Sequence, residues 1–407
     1  MRMQTADRDI ERVAIGSERK FAIKASGKAF AILSGSLYRD KIRAIIRELS
    51  CNAYDAHVAA GYPDRPFWVH LPNTFEPFFA VRDSGIGLSP TDIETLYTTY
   101  FESTKTESND YIGAMGLGSK SPFSYVDSFT VTSWFNGKKY YYAAFISETG
   151  EPVITLMAET DTDQPNGVEV SLPVKHSGDY SDFSRKAAIV LSQFKTPPEV
   201  VGSAEFKFQH YDDMIVGEGW RITERAFTSP HHEALAIMGN VSYPIVASAI
   251  QTLSEDAKRI FRLAIDIDFP IGTLDVTAGR EDLSYDKATL KALEVRAKEI
   301  IADAPERVKN RFDACETEFE ARKLFGKLYL YGSILSNLLV PSGYPPAEVI
   351  YRGKTIKSNY FDIDLSKPDM PELKEINIEI YSDYRRKYHK YTHSHNRSPV
   401  LHLDTPR

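Results

Sequence analysis

Cysteine is nearly absent from this sequence: 407 residues contain two, Cys51 and Cys315. They cannot form a disulfide framework, and such sparse usage fits a reducing compartment. No apolar run approaches the roughly 20 residues needed to cross a bilayer, and the opening residues do not read as a signal peptide. Basic excess is missing too: 49 Lys and Arg face 56 Asp and Glu, a formal net charge of −7. Bulk charge therefore gives no sign of nucleic-acid binding. His389, His393 and His395 lack Cys or acidic partners at metal spacing, which argues against a zinc site. There is no internal repeat or low-complexity tract. What is present is ordinary globular composition, 42% hydrophobic and 26% charged, at a length that suits two or three domains.

Three short patches carry the chemical information. The first lies in Leu37–Ala60, where Ile42, Ile45, Ile46, Leu49, Ala53 and Ala56 recur at helical spacing. At about 100° per residue, Glu48, Asn52 and Asp55 fall within roughly 60° of one another, away from the centre of that apolar stripe. Such a row reads either as a solvated face or as oxygen ligands for a hard cation such as Mg²⁺. The mid-helix Asn, intrinsically unfavourable, favours the second.

The second patch runs from the apolar strand at Phe78–Val81 into Asp83-Ser84-Gly85-Ile86-Gly87. Ser89 and Pro90 then read as the N-cap and first position of a helix. A strand-end Asp with two glycines is either an ordinary turn or a place for close backbone approach to a flat ligand. The third patch, Gly113-x-x-Gly116-x-Gly118-Ser119-Lys120, offers backbone amides for phosphate oxygens or is a flexible loop. It is no Walker A loop, because Ser119 stands where Lys is required. Nor is it a dinucleotide fingerprint, given its glycine order.

Together the patches resemble the N-box, G1 box and G2 box of the GHKL ATPases, the superfamily of gyrase B, the large heat-shock chaperones, histidine kinases and MutL. Arg47–Ala56 is similar to the chaperone version, and Ser103-Thr104-Lys105 matches the element before the lid. The resemblance implies an α+β protein: a GHKL (Bergerat) α/β sandwich over residues 1–192, a transducer-like mixed α+β domain over 193–312, and a C-terminal extension over 313–407. It implies ATP and Mg²⁺ as ligands. Glu48 would be the general base and Asn52 would hold Mg²⁺, with Asp55 supporting them. Asp83 would accept the adenine amino group, with Gly87 against the base and Gly85 also among the ATP-binding residues. Gly113, Gly116 and Gly118 would cap the phosphates as a lid over residues 100–118 closes, with Thr104, Lys105, Ser119 and Lys120 also among the ATP-binding residues. One departure concerns the late strand at Asn166–Val170. There Val168 stands where the family has a Thr that supports adenine through water.

Strands and helices alternate in the next region. Ala234–Tyr243 reads as strand and turn, Leu253–Leu263 as helix, Leu263–Phe269 as an alternating strand and Asp286–Phe312 as a long helix. Between these, Arg280 in Ala278-Gly279-Arg280-Glu281-Asp282-Leu283 either pairs with a nearby Glu or resembles the chaperone Arg that reaches the γ-phosphate. As a residue of a second domain it would have to fold back onto the first.

Further on, Phe325–Val340 reads as one helix, and Glu348–Ile356 and Leu373–Tyr381 as short strands. Segment 384–397 is basic with interleaved aromatics. It reads as a solvated loop in preference to a nucleic-acid surface. Val400–Asp404 reads as a strand leading into something longer.

The wording of Tyr97–Lys105, Leu117–Tyr125 and Ile237–Pro244 also resembles the rIIA lysis-inhibition proteins of bacteriophages. That implies a phage protein of the host cytoplasm, peripheral to the membrane at most, with a phage or host protein partner and ATP-gated homodimerisation. Three functions stay open: an ATPase switch, a nucleotide-sensing scaffold with little turnover, and a MutL-like clamp on DNA.

Overall fold

The computed structural model describes residues 27, 30, 36–97, 118–228, 233–330, 334–339 and 349–356. Thr104, Lys105, Gly113 and Gly116 lie outside these residues, as do the strands expected at Leu373–Tyr381 and Val400–Asp404 and the basic segment 384–397.

In chain order the elements begin with α1 (Lys41–Ala59), β1 (Trp68–His70), β2 (Phe78–Arg82), β3 (Ser128–Phe135), β4 (Lys138–Ile146), β5 (Pro152–Asp161) and β6 (Gly167–Pro173). They continue with α2 (Gly178–Leu191), β7 (Glu199–Val201), β8 (Asp213–Gly217), β9 (Trp220–Thr223), β10 (Leu235–Met238) and β11 (Val241–Pro244). Then come α3 (Glu255–Phe261), β12 (Ile265–Phe269), α4 (Lys287–Asp313), α5 (Glu318–Leu330), α6 (Ile334–Leu339), β13 (Val349–Tyr351) and β14 (Lys354–Ile356). The protein is mixed α+β and forms two compact units.

The first unit comprises Met1–His210, Leu235–Pro244 and Asp268–Ala292. Its centre is a seven-stranded sheet in the order β5-β4-β3-β6-β2-β1-β7. All neighbours are antiparallel except β1 and β7. Helices α1 and α2 pack on each other, and α1 lies against β2 and β6. Phe183 of α2 meets Phe79 of β2 with ring centroids 5.0 Å apart.

Helix α1 forms for local reasons. Asp40 caps its N-terminus by accepting from the Arg43 N–H at 3.1 Å. The apolar stripe read from the sequence is buried at Ile42, Ile45, Ile46, Leu49 and Ala53. Each large side chain buried this way contributes about 1.5–3 kcal/mol. The helix ends before Gly61, whose φ of +81° stops it.

The second unit comprises Tyr211–Ala234, Ile245–Ile267 and Leu293–Arg407. Strands β8 and β9 form a hairpin, and β12 pairs antiparallel with β9. Asp303 of α4 ties this hairpin down by accepting from Trp220 Nε1 at 2.9 Å and the Glu218 N–H at 3.1 Å. The segment expected as one helix at Phe325–Val340 falls on α5 and α6. The expected strand at Glu348–Ile356 is a hairpin, because Arg352 and Gly353 both take positive φ and turn the chain. Among the described residues, no helix is long and apolar enough to cross a membrane.

Candidate functional site

The end of β2 delivers Asp83 into a loop that is pinned at every other residue. Asp83 is buried, and its Oδ1 accepts from the N–H groups of Gly85 at 2.8 Å and Val168 at 3.2 Å. The Ser84 N–H donates to His57 Nε2 at 2.8 Å. Asn166 Nδ2 donates to the Ile86 carbonyl at 3.0 Å. Ser133 Oγ both accepts from the Leu88 N–H at 2.9 Å and donates to the Leu88 carbonyl at 2.7 Å. Past the loop, Ser89 and Asp92 form a reciprocal capping box with Pro90 at the first helical position.

Gly87 has φ +72°, and a Cβ there would lie 2.2 Å from the Trp134 carbonyl oxygen. A side chain is excluded on both counts. Gly85 seats the loop on α1, where a Cβ would come within 2.7 Å of Ala56.

His57 holds the α1 end of this arrangement. Its Nδ1 is 2.9 Å from the Arg65 carbonyl, so Nδ1 carries the proton and Nε2 accepts. Burial pushes its pKa down against the Arg65 hydrogen bond, which favours the neutral ring.

Two turns earlier on α1 the chemistry changes to ions. Glu48 is 3% exposed and Arg280 5%. Glu48 Oε2 accepts from Arg280 Nη1 at 2.9 Å. Its Oε1 accepts from Arg47 Nε at 3.1 Å and Nη2 at 3.0 Å. Arg47 also donates to the Gly279 carbonyl at 2.8 Å. Burial pushes the Glu48 pKa up, but the charges of Arg280 and Arg47 and their hydrogen bonds outweigh it and hold the carboxyl below the ordinary range. The Arg280 pKa is lowered by burial and raised more by the Glu48 charge, which keeps it cationic. Arg280 thus pairs with a Glu 232 positions away rather than with one near it in the sequence. The segment that carries it groups with the first unit.

Arg280 is also strained. Its φ is +53°, a left-handed conformation that costs a non-glycine residue about 1–2 kcal/mol. A tight loop holds it there, with the Arg280 N–H on the Thr277 carbonyl at 2.8 Å and an isolated bridge between Val276 and Leu283. Its Nε is buried with no hydrogen-bond partner among the described residues.

Gly118 closes the same cluster. A Cβ there would lie 2.7 Å from Glu48 Oε2 and 3.6 Å from Asn52 Nδ2. The structure thus brings together Glu48, Asn52, Gly118 and Arg280, sets Gly85 against the C-terminal half of the same helix, and places Gly87 against Trp134 of β3. Asp55 and Lys120 are buried and Ser119 half-buried. Cys51 is wholly buried, which raises its thiol to about 12 and makes it inert. Among the described residues no three His, Cys, Asp or Glu side chains gather as a metal cage. Asn52 is half-buried beside Gly118.

Four contributors were not assigned roles from the sequence: Arg47, His57, Ser133 and Asn166. Only His57 left a signal, since it extends the row Ile46, Ser50, Ala53 at helical spacing and so belongs to the buried side.

Compared with known proteins, the chain matches no family model and no curated protein.

Proposed function

We propose that the first unit is a GHKL-type ATP site and that the protein is a slow, Mg²⁺-dependent ATPase working as a conformational switch. One observation carries this reading. Glu48, Asn52, Gly118 and Arg280 converge on one face of α1, with an orphaned guanidinium N–H among them. That group suits phosphate oxygens: a glycine edge leaves room for them, and an amide and an arginine supply polar contacts.

In this reading Asp83 accepts the adenine amino group, and Gly87 lets the base lie against the loop. Asn52 holds Mg²⁺, which supplies charge to neutralise the phosphate oxygens. Glu48 orients the attacking water. The two arginines keep it ionised, the state a base requires, but also make it a weak one. Arg280 stabilises charge on the transferred group once it leaves Glu48. The likeness to bacteriophage rIIA proteins rests on sequence wording. It extends the proposal to a phage switch acting in the host cytoplasm on a protein partner, in lysis inhibition and protection against prophage exclusion.

A second reading, a nucleotide sensor with little turnover, is favoured by the double arginine clamp on Glu48. Steady-state ATP hydrolysis by wild type and Glu48→Ala decides between them. Turnover that falls in the variant while ATP binding persists supports the ATPase. Binding without turnover in wild type supports the sensor, and no ATP binding at all overturns both.

A further inference from the structure

One edge of the first unit's sheet is open. β5 is the last strand on that side, and among the described residues it pairs with β4 alone. Val153 and every residue from Thr155 to Asp161 are exposed. Five of the 13 large hydrophobic side chains exposed among the described residues lie on this one hairpin: Tyr141, Phe145, Val153, Leu156 and Met157. A concentration of that kind marks a surface that another molecule covers.

Backbone geometry fixes the mode of covering. The Ser147 N–H donates to the Glu151 carbonyl at 2.9 Å, so these two residues are a bonded pair. Bonded and non-bonded pairs alternate along an antiparallel ladder. Phe145 stands opposite Val153 and Ala143 opposite Thr155. Val153 and Thr155 therefore turn their peptide groups to β4, and Ile154 and Leu156 turn theirs to the open edge. Natural edges are guarded by charge, proline or a bulge. Pro152 guards one end of this edge, and a bulge opposite Tyr141 and Tyr142 guards the other. Val153–Leu156, between them, has no such guard.

Charge fixes the kind of partner. From Tyr140 to Val174 the chain has no Lys, Arg or His, and Glu148, Glu151, Glu159, Asp161 and Asp163 flank the open stretch. Of these carboxylates only Glu159 has an ion-paired cation, Lys138, among the described residues. A second copy of β5 that paired Ile154 with Leu156 would bring Glu151 against Glu159, and like charges opposed across strands are destabilising. The occupant has to bring cations.

We propose that β5 is a docking edge, which takes an extended basic segment of another protein as an eighth strand. The segment bonds to the backbone of Ile154 and Leu156 and sets its cations on the flanking carboxylates. Main-chain bonds supply the affinity and charge supplies the choice of partner.

The test uses the full chain without nucleotide. A fluorescein-labelled peptide of alternating lysine and valine is titrated and followed by anisotropy, beside one of alternating glutamate and valine. The lysine peptide should saturate, the glutamate peptide should not, and the bound peptide should slow amide exchange at Ile154 and Leu156. Ile154→Pro removes an outward N–H and spares the bonds to β4, as proline on an edge strand allows. It should weaken binding by up to about tenfold, the net loss of one hydrogen bond. Met157→Lys changes a side chain that is 60% exposed, so it should fold like wild type and weaken binding by repelling the peptide's cations. Equal binding of the two peptides, no saturation by about 1 mM, or protection confined to other amides overturns the edge. Wild-type affinity in either folded variant does the same. A dimer of the free protein that Met157→Lys dissolves would give the edge to a second copy and overturn the basic partner.

Discussion

The two halves of helix α1 hold their neighbours in opposite ways. Toward the C-terminus, the Asp83–Ser89 loop is fixed mainly by neutral, short-range hydrogen bonds from His57, Asn166 and Ser133 to backbone groups. Toward the N-terminus, Glu48 is fixed by two buried charges. Neutral bonds of this kind are lost only by unfolding the loop. A buried ion pair can be exchanged for another of the same sign pattern, because what it requires is compensation of charge. One end is therefore built to present a shape and the other to change partners.

The largest expected effect falls on the charged half. Glu48→Gln should reduce ATP turnover by about 10²–10⁴-fold while leaving ATP affinity within a few-fold, as loss of a base or water-orienting group does. Single-turnover kinetics with a separate binding assay checks this, and wild-type turnover in the variant would remove Glu48 from the chemistry.

Next comes stability. Arg280→Ala leaves Glu48 with Arg47 alone and should destabilise the protein by about 3 kcal/mol, the lower end for breaking a buried pair. Urea unfolding measures it. The pH dependence follows from the direction of the Glu48 shift. A carboxyl held below its unfolded value stabilises the fold at neutral pH, and that contribution is lost as pH falls through the folded value. Arg280→Ala should move this loss to higher pH. An unshifted acid limb would mean that the pair contributes little.

On the neutral half, Asp83→Asn should weaken ATP binding by roughly 10–100-fold, the equivalent of about 1–3 kcal/mol for one specific polar contact. The Oδ1 bonds to Gly85 and Val168 can persist in the amide, so the fold should survive. Unaltered ATP affinity, measured by calorimetry, would move the base to another place.

The smallest effect concerns His57. Burial depresses its pKa, so the neutral ring stabilises the fold above the ordinary histidine range, and this is lost as pH falls below it. His57→Gln should flatten that slope and loosen the loop, seen as faster amide exchange at Ser84. A slope unchanged in the variant would assign the titration elsewhere.

What the sequence revealed of this site followed from range. The stripe of α1, the Ser89 cap with Pro90 and the strand-end Asp83 are all encoded within a few residues, and each is found where periodicity and capping placed it. The expected elements from Leu253 to Phe312 differ mainly at their ends. Asp286–Phe312, for example, is observed as Lys287–Asp313. The partners of these elements were not legible. Arg280 meets Glu48 across 232 positions and Ser133 meets Leu88 across 45. No local propensity records which buried groups will share a hydrogen bond. Arg47 is the clearest case: its burial is compensated by Glu48 next to it and by the Gly279 carbonyl 232 positions away.

The first unit draws on three separate stretches of chain, the last ending at Ala292. Its assembly is therefore a matter of timing as well as contact. When His210 has been synthesised, α1 and its sheet exist, but Glu48 still lacks Arg280. At about 5–20 residues per second, roughly 3.5–14 seconds of translation separate His210 from Arg280. Through that interval a carboxylate destined for the interior has only Arg47 beside it. The nascent site stays open to water until the strained loop at Arg280 arrives to close it.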